Sequence, residues 1–311
     1  MNCTRKISES IKTFQTVVFT LVFIIGIILT ATAFQAFYCK LRKWTETTIY
    51  MTNLAVSDLA VLIALPFKIY SYHSKLTREF LCKFILMFSN LNMCISLITI
   101  MYNNVDRYIA IQYPFKAKLL RSPMKAAMAC VGAWIFAGLW IIPLQLIPFM
   151  SNKTNSFNKD PSTPCFVADK DNYLIFLLTS VVFLVIPLIT VMFCSIQILQ
   201  KLWKRPISNS SEISTRRSVQ IIAASTIILI FCFMPFNTAV IIHLVAIAMN
   251  INCTTQNQIY LFLKVAECIM TINCCLDGFF FYFISADTVK FYQNQREVND
   301  CNKDQTSMLP A

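Results

Sequence analysis

Residues 79–114 read EFLCKFILMFSNLNMCISLITIMYNNVDRYIAIQYP. This segment holds Cys82 near its start, two apolar runs in its middle, and Asp106-Arg107-Tyr108 near its end. Arg107 follows Cys82 by 25 positions, or roughly 37 Å of α-helix. Because the hydrocarbon core of a bilayer is about 30 Å thick, one helix can place the cysteine at one membrane face and the Asp-Arg pair at the other.

The composition supports a membrane protein. Of the 311 residues, 57% are hydrophobic and only 14% are charged, whereas soluble domains carry about 25% charged residues. The formal net charge is +12, but its placement in loops favours membrane orientation over nucleic-acid binding. No nucleic-acid partner is therefore expected.

Seven apolar segments are long enough to span a bilayer as helices. They cover about 14–38, 47–72, 80–112, 124–149, 172–200, 218–248 and 258–284. The loops and tail on the side of Arg107 hold fifteen Lys and Arg residues, against eight on the other side. The positive-inside rule thus predicts an extracellular N-terminus.

Three sequons and four cysteines fall on the predicted outer side, whereas a fourth sequon, at Asn209, falls on the inner side. Glycosylation sequons begin at Asn2, Asn152 and Asn252,. The four outer cysteines are Cys3, Cys82, Cys165 and Cys253. The most economical pairing joins Cys82 to Cys165 and Cys3 to Cys253, but four cysteines allow three pairings and the residues alone leave the choice open.

Two of the carboxylates inside spans form a candidate site, because ionisable residues in a span usually face the bundle interior and mark functional sites. Asp58 lies in span two and Asp277 in span seven, each toward the inner half. If they face one cavity, they can share a sodium ion or a proton, and no other cofactor is expected. The alternative is a hydrogen-bonded acid pair that holds the bundle together.

Other polar groups lie toward the outer ends of the spans. Lys68 follows Pro66, which can turn it inward as an anchor for an anionic ligand, or the lysine can snorkel to the interface. Lys264 and Glu267 are three positions apart on one helix face, so they bind a ligand or pair with each other. His243 is a ligand contact or a satisfied interface residue.

Enzyme signatures are missing from the sequence. It has no glycine-rich phosphate loop and no H-E-x-x-H motif,. Its two histidines, His73 and His243, fall on the predicted outer side, far from Asp58 and Asp277. Internal repeats typical of many transporters are not evident. The sequence therefore predicts a non-enzymatic protein, with a small transporter or channel as the competing class.

Several motifs in order identify a family. The chain has N-L-A-V-S-D-L at 53–59, D-R-Y at 106–108, Trp134, Pro187, C-F-M-P at 232–235 and N-C-C-L-D at 273–277. In this order they resemble rhodopsin-like (class A) G-protein-coupled receptors over nearly the whole chain. Residues 44–53, 120–123 and 273–277 are similar to the orphan receptors numbered 35 and 55, in the branch that holds purine-nucleotide and lysophospholipid receptors.

The resemblance implies a plasma-membrane receptor that activates heterotrimeric G proteins, with arrestin as a further partner. It implies that Arg107 leaves Asp106 to contact the G protein, with Tyr108 completing the motif. It also implies a rotamer switch at Phe233 above Pro235, an allosteric sodium site at Asp58, and both disulfide pairings named above.

The resemblance also has departures. Thr30 replaces the usual Asn of span one, Ser195 the usual Tyr of span five, and Gly278 and Phe281 the usual Pro and Tyr of span seven. These departures keep a non-signalling decoy receptor open as a third reading, although the intact Asp106-Arg107-Tyr108 weighs against it.

The pocket residues favour an anionic lipid. Ser89 stands where amine receptors carry Asp, and Met93 and Leu144 stand where receptor 35 carries arginines. Lys68 matches a lysine of receptor 55. The expected ligand is a lysophospholipid-like amphiphile with its head group near Lys68 and its tail along Met93, Leu144 and Phe236, with a small organic acid as the alternative.

The predicted fold is an all-α membrane protein, a seven-transmembrane helix bundle in one receptor domain spanning 1–311. Residues 285–296 are expected to form a short amphipathic eighth helix on the inner leaflet.

Overall fold

The computed structural model describes residues 9–40, 44–73, 78–151, 173–204, 212–249 and 251–307. Within these ranges the chain is almost entirely helical and contains no strand. The helices are α1 (Glu9–Lys40), α2 (Glu46–His73), α3 (Arg78–Gln112), α4 (Pro114–Leu120), α5 (Pro123–Ser151), α6 (Tyr173–Lys204), α7 (Glu212–Ile228), α8 (Met234–Ala248) and α9 (Cys253–Ser307). A π-helical turn, Leu229–Phe233, joins α7 to α8.

Seven of the described helical segments are long and apolar enough to cross a membrane. They are α1, α2, α3, α5, α6, the α7–π–α8 unit and the first half of α9, and they correspond to the seven predicted spans. The predicted all-α, seven-span architecture is confirmed. Below, the end of the bundle that carries Arg107 is called the Arg107 end, and the opposite end is called the Cys253 end.

Prolines begin two of the helices at the Arg107 end. Pro114 is the first residue of α4 and Pro123 the first of α5. Proline suits this position because its missing N–H has no partner in the first turn and its φ is already helical. The short helix α4 therefore forms directly after α3 and lies between two spans.

The third span is central to the packing. The largest buried cluster draws Met93, Ile95 and Leu97 from α3 and packs them against Ala133 and Ala137 of α5. Phe183 and Val191 of α6, Leu229 and Phe233 of the π turn, and Met270 of α9 complete the same cluster. One helix therefore contacts most of the bundle, and displacement of any neighbouring span alters the surroundings of α3.

Thr30 and Gly278, two departures from the family pattern, lie close together where α1 packs on α9. A Cβ added to Gly278 would lie 2.8 Å from Leu29 Cβ, 3.4 Å from the Leu29 carbonyl carbon and 3.6 Å from Thr30 N. Glycine is therefore required at position 278 because the α1 backbone lies too close for a side chain.

The expected separate eighth helix is wrong. α9 continues without interruption from Cys253 to Ser307, a length of 55 residues. The physical reason is the absence of a helix breaker, because neither Gly nor Pro occurs between Gly278 and Pro310,.

Candidate functional site

A buried cluster of charged side chains lies toward the Cys253 end. Lys68 Nζ of α2 lies 2.5 Å from Glu267 Oε1 of α9, and Lys264 Nζ lies 3.0 Å from Glu267 Oε2. All three residues are buried, with exposed fractions of 4% for Lys68, 1% for Lys264 and 6% for Glu267. These three residues are called the lysine cluster.

The structure shows where the side chains of these residues point. Lys68 does not snorkel to the interface, because its ammonium group points into the bundle and binds Glu267. The predicted Lys264–Glu267 pair forms. Sequence spacing could not reveal that Lys68 shares the same carboxylate, because the two residues are 199 positions apart.

Polar and aromatic groups of α1 and α2 line the lysine cluster, and the sequence analysis missed them. Gln15 Nε2 donates to Glu267 Oε2 (3.4 Å) and to the Lys264 carbonyl oxygen (3.2 Å). Tyr72 OH donates to Gln15 Oε1 (3.2 Å). The Lys68 ammonium lies 4.4 Å from the centroid of the Phe19 ring, a cation–π contact,. The one signal in the sequence was Gln15, a polar residue at the start of an apolar run.

The lysine cluster has an unequal number of charges. It contains two ammonium groups and one carboxylate, so its formal charge is +1. A buried charge without a counter-charge is costly, and an anionic group bound beside Lys68 and Lys264 would balance it. The geometry is thus suited to an anion, with Glu267 holding the two lysines together.

The predicted tail-binding residues line a separate cavity. Met93 and Phe236 face a space of about 90 Å³ together with Ile141, Phe183 and Asn237. Lys68 is not among the residues that line it. Ser89 is half-buried and does not line it either, and the side chain of Leu144 lies outside the described residues. The predicted single site for head and tail is therefore divided in two in this conformation.

His243 lies on the inner side of α8 and is only 4% exposed. Its ring centroid is 5.8 Å from that of Tyr260 on α9. Tyr260 in turn lies under the Lys264 ammonium, which is 5.4 Å from its ring centroid. His243 therefore borders the lysine cluster through an aromatic ring and does not contact its charged atoms in the hydrogen bonds described.

Asp58 and Asp277 lie close to each other in the interior of the bundle. Their carboxyl groups lie within hydrogen-bonding reach of each other, and their exposed fractions are 1% and 2%. Asn92 Nδ2 donates to Asp58 Oδ1 (3.1 Å), and Asn273 Nδ2 donates to Asp277 Oδ2 (2.8 Å). Asn273 Oδ1 is buried and has no hydrogen-bond partner among the residues that the structure describes. Two carboxylates and a spare amide oxygen are hard donors that suit a sodium ion.

Arg107 belongs to a polar network of five residues, four of which are charged. Arg107 NH2 lies 3.2 Å from Asp106 Oδ2 and also donates to Thr47 Oγ1 of α2. Arg121, which follows α4, binds the same Asp106 through Nε (2.8 Å) and NH2 (2.9 Å), and its NH2 lies 3.2 Å from Glu46 Oε2. Glu46, Thr47, Asp106, Arg107 and Arg121 are called the Arg107 network.

Arg121 stays charged in this network. Burial lowers the pKa of its guanidinium group, but the hydrogen bond and charge of Asp106, with the charge of Glu46, outweigh that effect and raise the pKa above its ordinary value. In the sequence Arg121 was counted only as one of many loop cations, so its role at Asp106 was missed.

The expected switch residues occupy an irregular part of span six. Phe233 is fully buried and is the last residue of the π turn Leu229–Phe233, and Pro235 lies in the first turn of α8. A π turn before a proline is a common place for a helix to bend. Tyr108 packs its ring 5.7 Å from that of Phe193 on α6, and Ser195 Oγ of α6 lies 3.3 Å from Thr226 Oγ1 of α7.

The disulfide and glycosylation predictions fall mainly outside the described residues. Cys253 is disulfide-bonded, but Cys3, Cys165 and the side chain of Cys82 are not described, so its partner stays a prediction. Asn252 is exposed just before α9, whereas Asn2 and Asn152 are not described.

Comparison with known proteins agrees with this architecture. The 7 transmembrane receptor (rhodopsin family) pattern matches residues 29–281. Human lysophosphatidic acid receptor 6 is 34% identical over 281 residues, which cover 88% of this chain and 80% of that receptor. Mouse G-protein coupled receptor 35 is 29% identical over 99% of this chain and 97% of its own length.

Mouse G-protein coupled receptor 55 is a further relative, 27% identical over 91% of this chain and 89% of its own length. These relatives are receptors, as is the family as a whole. The chain therefore belongs to the rhodopsin family of seven-transmembrane receptors and is a multi-pass plasma-membrane G-protein-coupled receptor, not an enzyme.

Proposed function

We propose that this receptor binds an anionic lipid of the lysophospholipid class and that the bound receptor activates heterotrimeric G proteins. The observation that carries the proposal is the formal charge of +1 on the lysine cluster, where Lys68 and Lys264 share the single carboxylate of Glu267. A phosphate or carboxylate head group would accept charge-assisted hydrogen bonds from both lysines. One relative, human lysophosphatidic acid receptor 6, is named for such a lipid.

The apolar cavity supports an amphiphile with its tail deeper in the bundle. Met93, Phe183 and Phe236 provide apolar walls, but the space of about 90 Å³ is small beside the roughly 300–1,000 Å³ of typical ligand sites,. A lipid tail would therefore require the cavity to widen toward α2 and α9, where the lysine cluster lies. This widening would join the two halves of the site, including the predicted contacts Ser89 and Leu144.

A small organic acid is the second candidate ligand. The same observation, the charge of +1 on the lysine cluster, suits a compact carboxylate, which needs no space for an apolar tail. The two candidates share the anionic group and differ in the apolar tail. They are therefore distinguished by the dependence of the response on chain length.

Exposed apolar residues at the Arg107 end support a signalling receptor over a decoy or a transporter. Phe115 and Leu119 of α4 are 88% and 83% exposed, and their spacing of four places them on one helix face,. Both lie between Arg107 and Arg121 in the chain. With the N-terminus extracellular, as the loop charges predict, this face is cytoplasmic and is open to a G protein, with arrestin as a competing partner.

We further propose an allosteric sodium ion between α2 and α9. Asp58 and Asp277 would hold the ion, with Asn273 Oδ1 as a neutral donor. A bound sodium ion would offset one of the two negative charges that Asp58 and Asp277 carry when both are ionised, and it would hold these two spans together. The pairings Cys82–Cys165 and Cys3–Cys253, glycosylation at Asn2, Asn152 and Asn252, and a single receptor domain spanning 1–311 complete the proposed receptor.

The proposal is tested by nucleotide exchange on purified G proteins of each main Gα class, with the receptor reconstituted in lipid discs. Lysophospholipids with acyl chains of different length and small organic acids are added separately. Exchange that depends on the acyl chain supports the lipid, and exchange with the acids alone supports the second candidate. No exchange from correctly folded receptor, with lipid or acid still bound, would support a decoy.

A further inference from the structure

Two arginines compete for Asp106. Arg121 binds both oxygens of this carboxylate, at 2.8 Å through Nε and 2.9 Å through NH2. The ion pair described between Arg107 and this carboxylate joins NH2 to Oδ2 at the longer distance of 3.2 Å. Paired guanidinium contacts to a carboxylate are the stronger arrangement. Arg121 is therefore the principal partner of Asp106, and the contact between Asp106 and Arg107 is the weaker of the two.

The charges of the Arg107 network alternate along a chain of contacts. Glu46 contacts Arg121, Arg121 contacts Asp106, and Asp106 contacts Arg107. The four side chains are between 8% and 22% exposed, so solvent screens these contacts only in part,. A change of charge at Glu46 therefore reaches Arg107 through two intermediate residues.

The network is also joined to α4. Arg121 caps this helix, because its N–H donates to the Ala117 carbonyl oxygen at 2.9 Å. Phe115 and Leu119 are exposed on the same helix. A protein that binds these two side chains would therefore act on the segment that carries Arg121.

We propose that Arg121 is a positioning residue that sets how firmly Asp106 restrains Arg107, with Glu46 opposing it. Arg121 draws the carboxylate away from Arg107 and so favours release of Arg107. Glu46 draws Arg121 away from the carboxylate and so favours retention. The inference rests on the proposed G-protein activation for its signalling readout only, because the competition itself concerns the resting protein.

The signalling test compares Arg121→Gln with Glu46→Gln in ligand-free nucleotide exchange, normalised to the amount of folded receptor. Arg121→Gln leaves Asp106 to Arg107 and is expected to lower basal exchange by about fivefold, whereas Glu46→Gln is expected to raise it by a similar factor. The double variant is expected to behave as Arg121→Gln. If Arg121 and Glu46 only supported the fold, both single variants would change basal exchange in the same direction.

Lys125→Gln is the matched control. This lysine belongs to the same region and carries the same charge, but its ammonium group donates to the Leu119 carbonyl oxygen at 3.0 Å. We expect its basal exchange to match the unchanged receptor. Shifts of the same sign in Arg121→Gln and Glu46→Gln would overturn the inference.

A second measurement needs no G protein. The fall in Tm caused by Arg107→Gln is measured in the unchanged receptor and in Arg121→Gln. If Arg121 competes for Asp106, the fall is larger in the Arg121→Gln background, because there Asp106 depends on Arg107 alone. An equal or smaller fall in Tm in the Arg121→Gln background would overturn the inference, whether or not the receptor activates a G protein. A larger fall in Tm from a receptor that shows no nucleotide exchange would contradict only the proposed function.

Discussion

Lys68 on α2 and Glu267 on α9 form a buried ion pair at 2.5 Å across 199 positions of sequence. The pair joins the second and seventh spans near the Cys253 end, and Lys264 binds the other oxygen of the same carboxylate. Two lysines thus depend on one acidic residue. Loss of Glu267 should therefore affect stability more than loss of either lysine.

Glu267→Gln is expected to destabilise the receptor far more than Lys264→Met. The first variant leaves two buried ammonium groups without a carboxylate, which costs about 3–5 kcal/mol. The second leaves the neutral pair Lys68–Glu267 intact. Thermal unfolding of the purified receptors measures the difference. An equal loss of Tm in both variants would show that the two lysines do not both depend on Glu267.

Gly278→Ala is expected to lower stability by about 1–3 kcal/mol, because its Cβ would lie 2.8 Å from Leu29 Cβ in the α1–α9 contact,. Gly132→Ala is the matched control, since a Cβ at that position would have no atom of the described residues within 4 Å apart from its chain neighbours and the adjacent backbone of its own helix. Alanine in a helix is favoured over glycine by about 1 kcal/mol, so the control is expected to be neutral or stabilising. A similar loss in both variants, measured by thermal unfolding, would refute the close approach of α1 to Gly278.

The sequence predicted the architecture well because the bilayer imposes a simple rule on it. A span needs about 20 apolar residues, and seven such segments can be counted directly. The ends of helices were harder to predict. A separate helix was expected from the amphipathic pattern of residues 285–296, whereas residues 279–309 contain no helix breaker and α9 runs through them to Ser307.

The site was predicted in part, for a different physical reason. Asp58, Asp277, Lys68 and Glu267 were recognised because ionisable residues are rare inside a membrane. Gln15 was not, since a neutral polar residue near the end of a span carries no such signal. Arg121 was missed because only the fold shows which of many loop cations lies next to Asp106.

Sodium is expected to raise the Tm of the receptor relative to choline at equal ionic strength, because a cation between Asp58 and Asp277 joins α2 to α9. Asp58→Asn is expected to remove this difference, since it removes one carboxylate and leaves the side-chain shape almost unchanged. Tm is measured for the unchanged receptor and for Asp58→Asn, each in the sodium salt and in the choline salt. The same sodium dependence in Asp58→Asn would exclude this site for the ion.

Phe115→Ala is expected to reduce ligand-stimulated nucleotide exchange by about tenfold or more, as loss of an apolar anchor does at protein interfaces. Because Phe115 is 88% exposed, its loss is expected to leave Tm and ligand affinity unchanged. Met124→Ala is a suitable control, since Met124 is also exposed (70%) but lies on α5. Equal exchange in Phe115→Ala and the unchanged receptor would exclude α4 as the docking face.

The central claim, that an anionic head group binds at the lysine cluster, is tested most directly by the response of Lys68→Met to a lysophospholipid. This variant retains the neutral pair Lys264–Glu267, so it is expected to fold, and it removes the excess charge of +1. Lys12→Met is the control, because Lys12 pairs with the exposed Glu9 at the start of α1. Ligand-stimulated exchange is measured as a function of ligand concentration. We predict a loss of potency of about 100-fold or more in Lys68→Met and none in Lys12→Met. Equal potency in Lys68→Met and the unchanged receptor would contradict the claim.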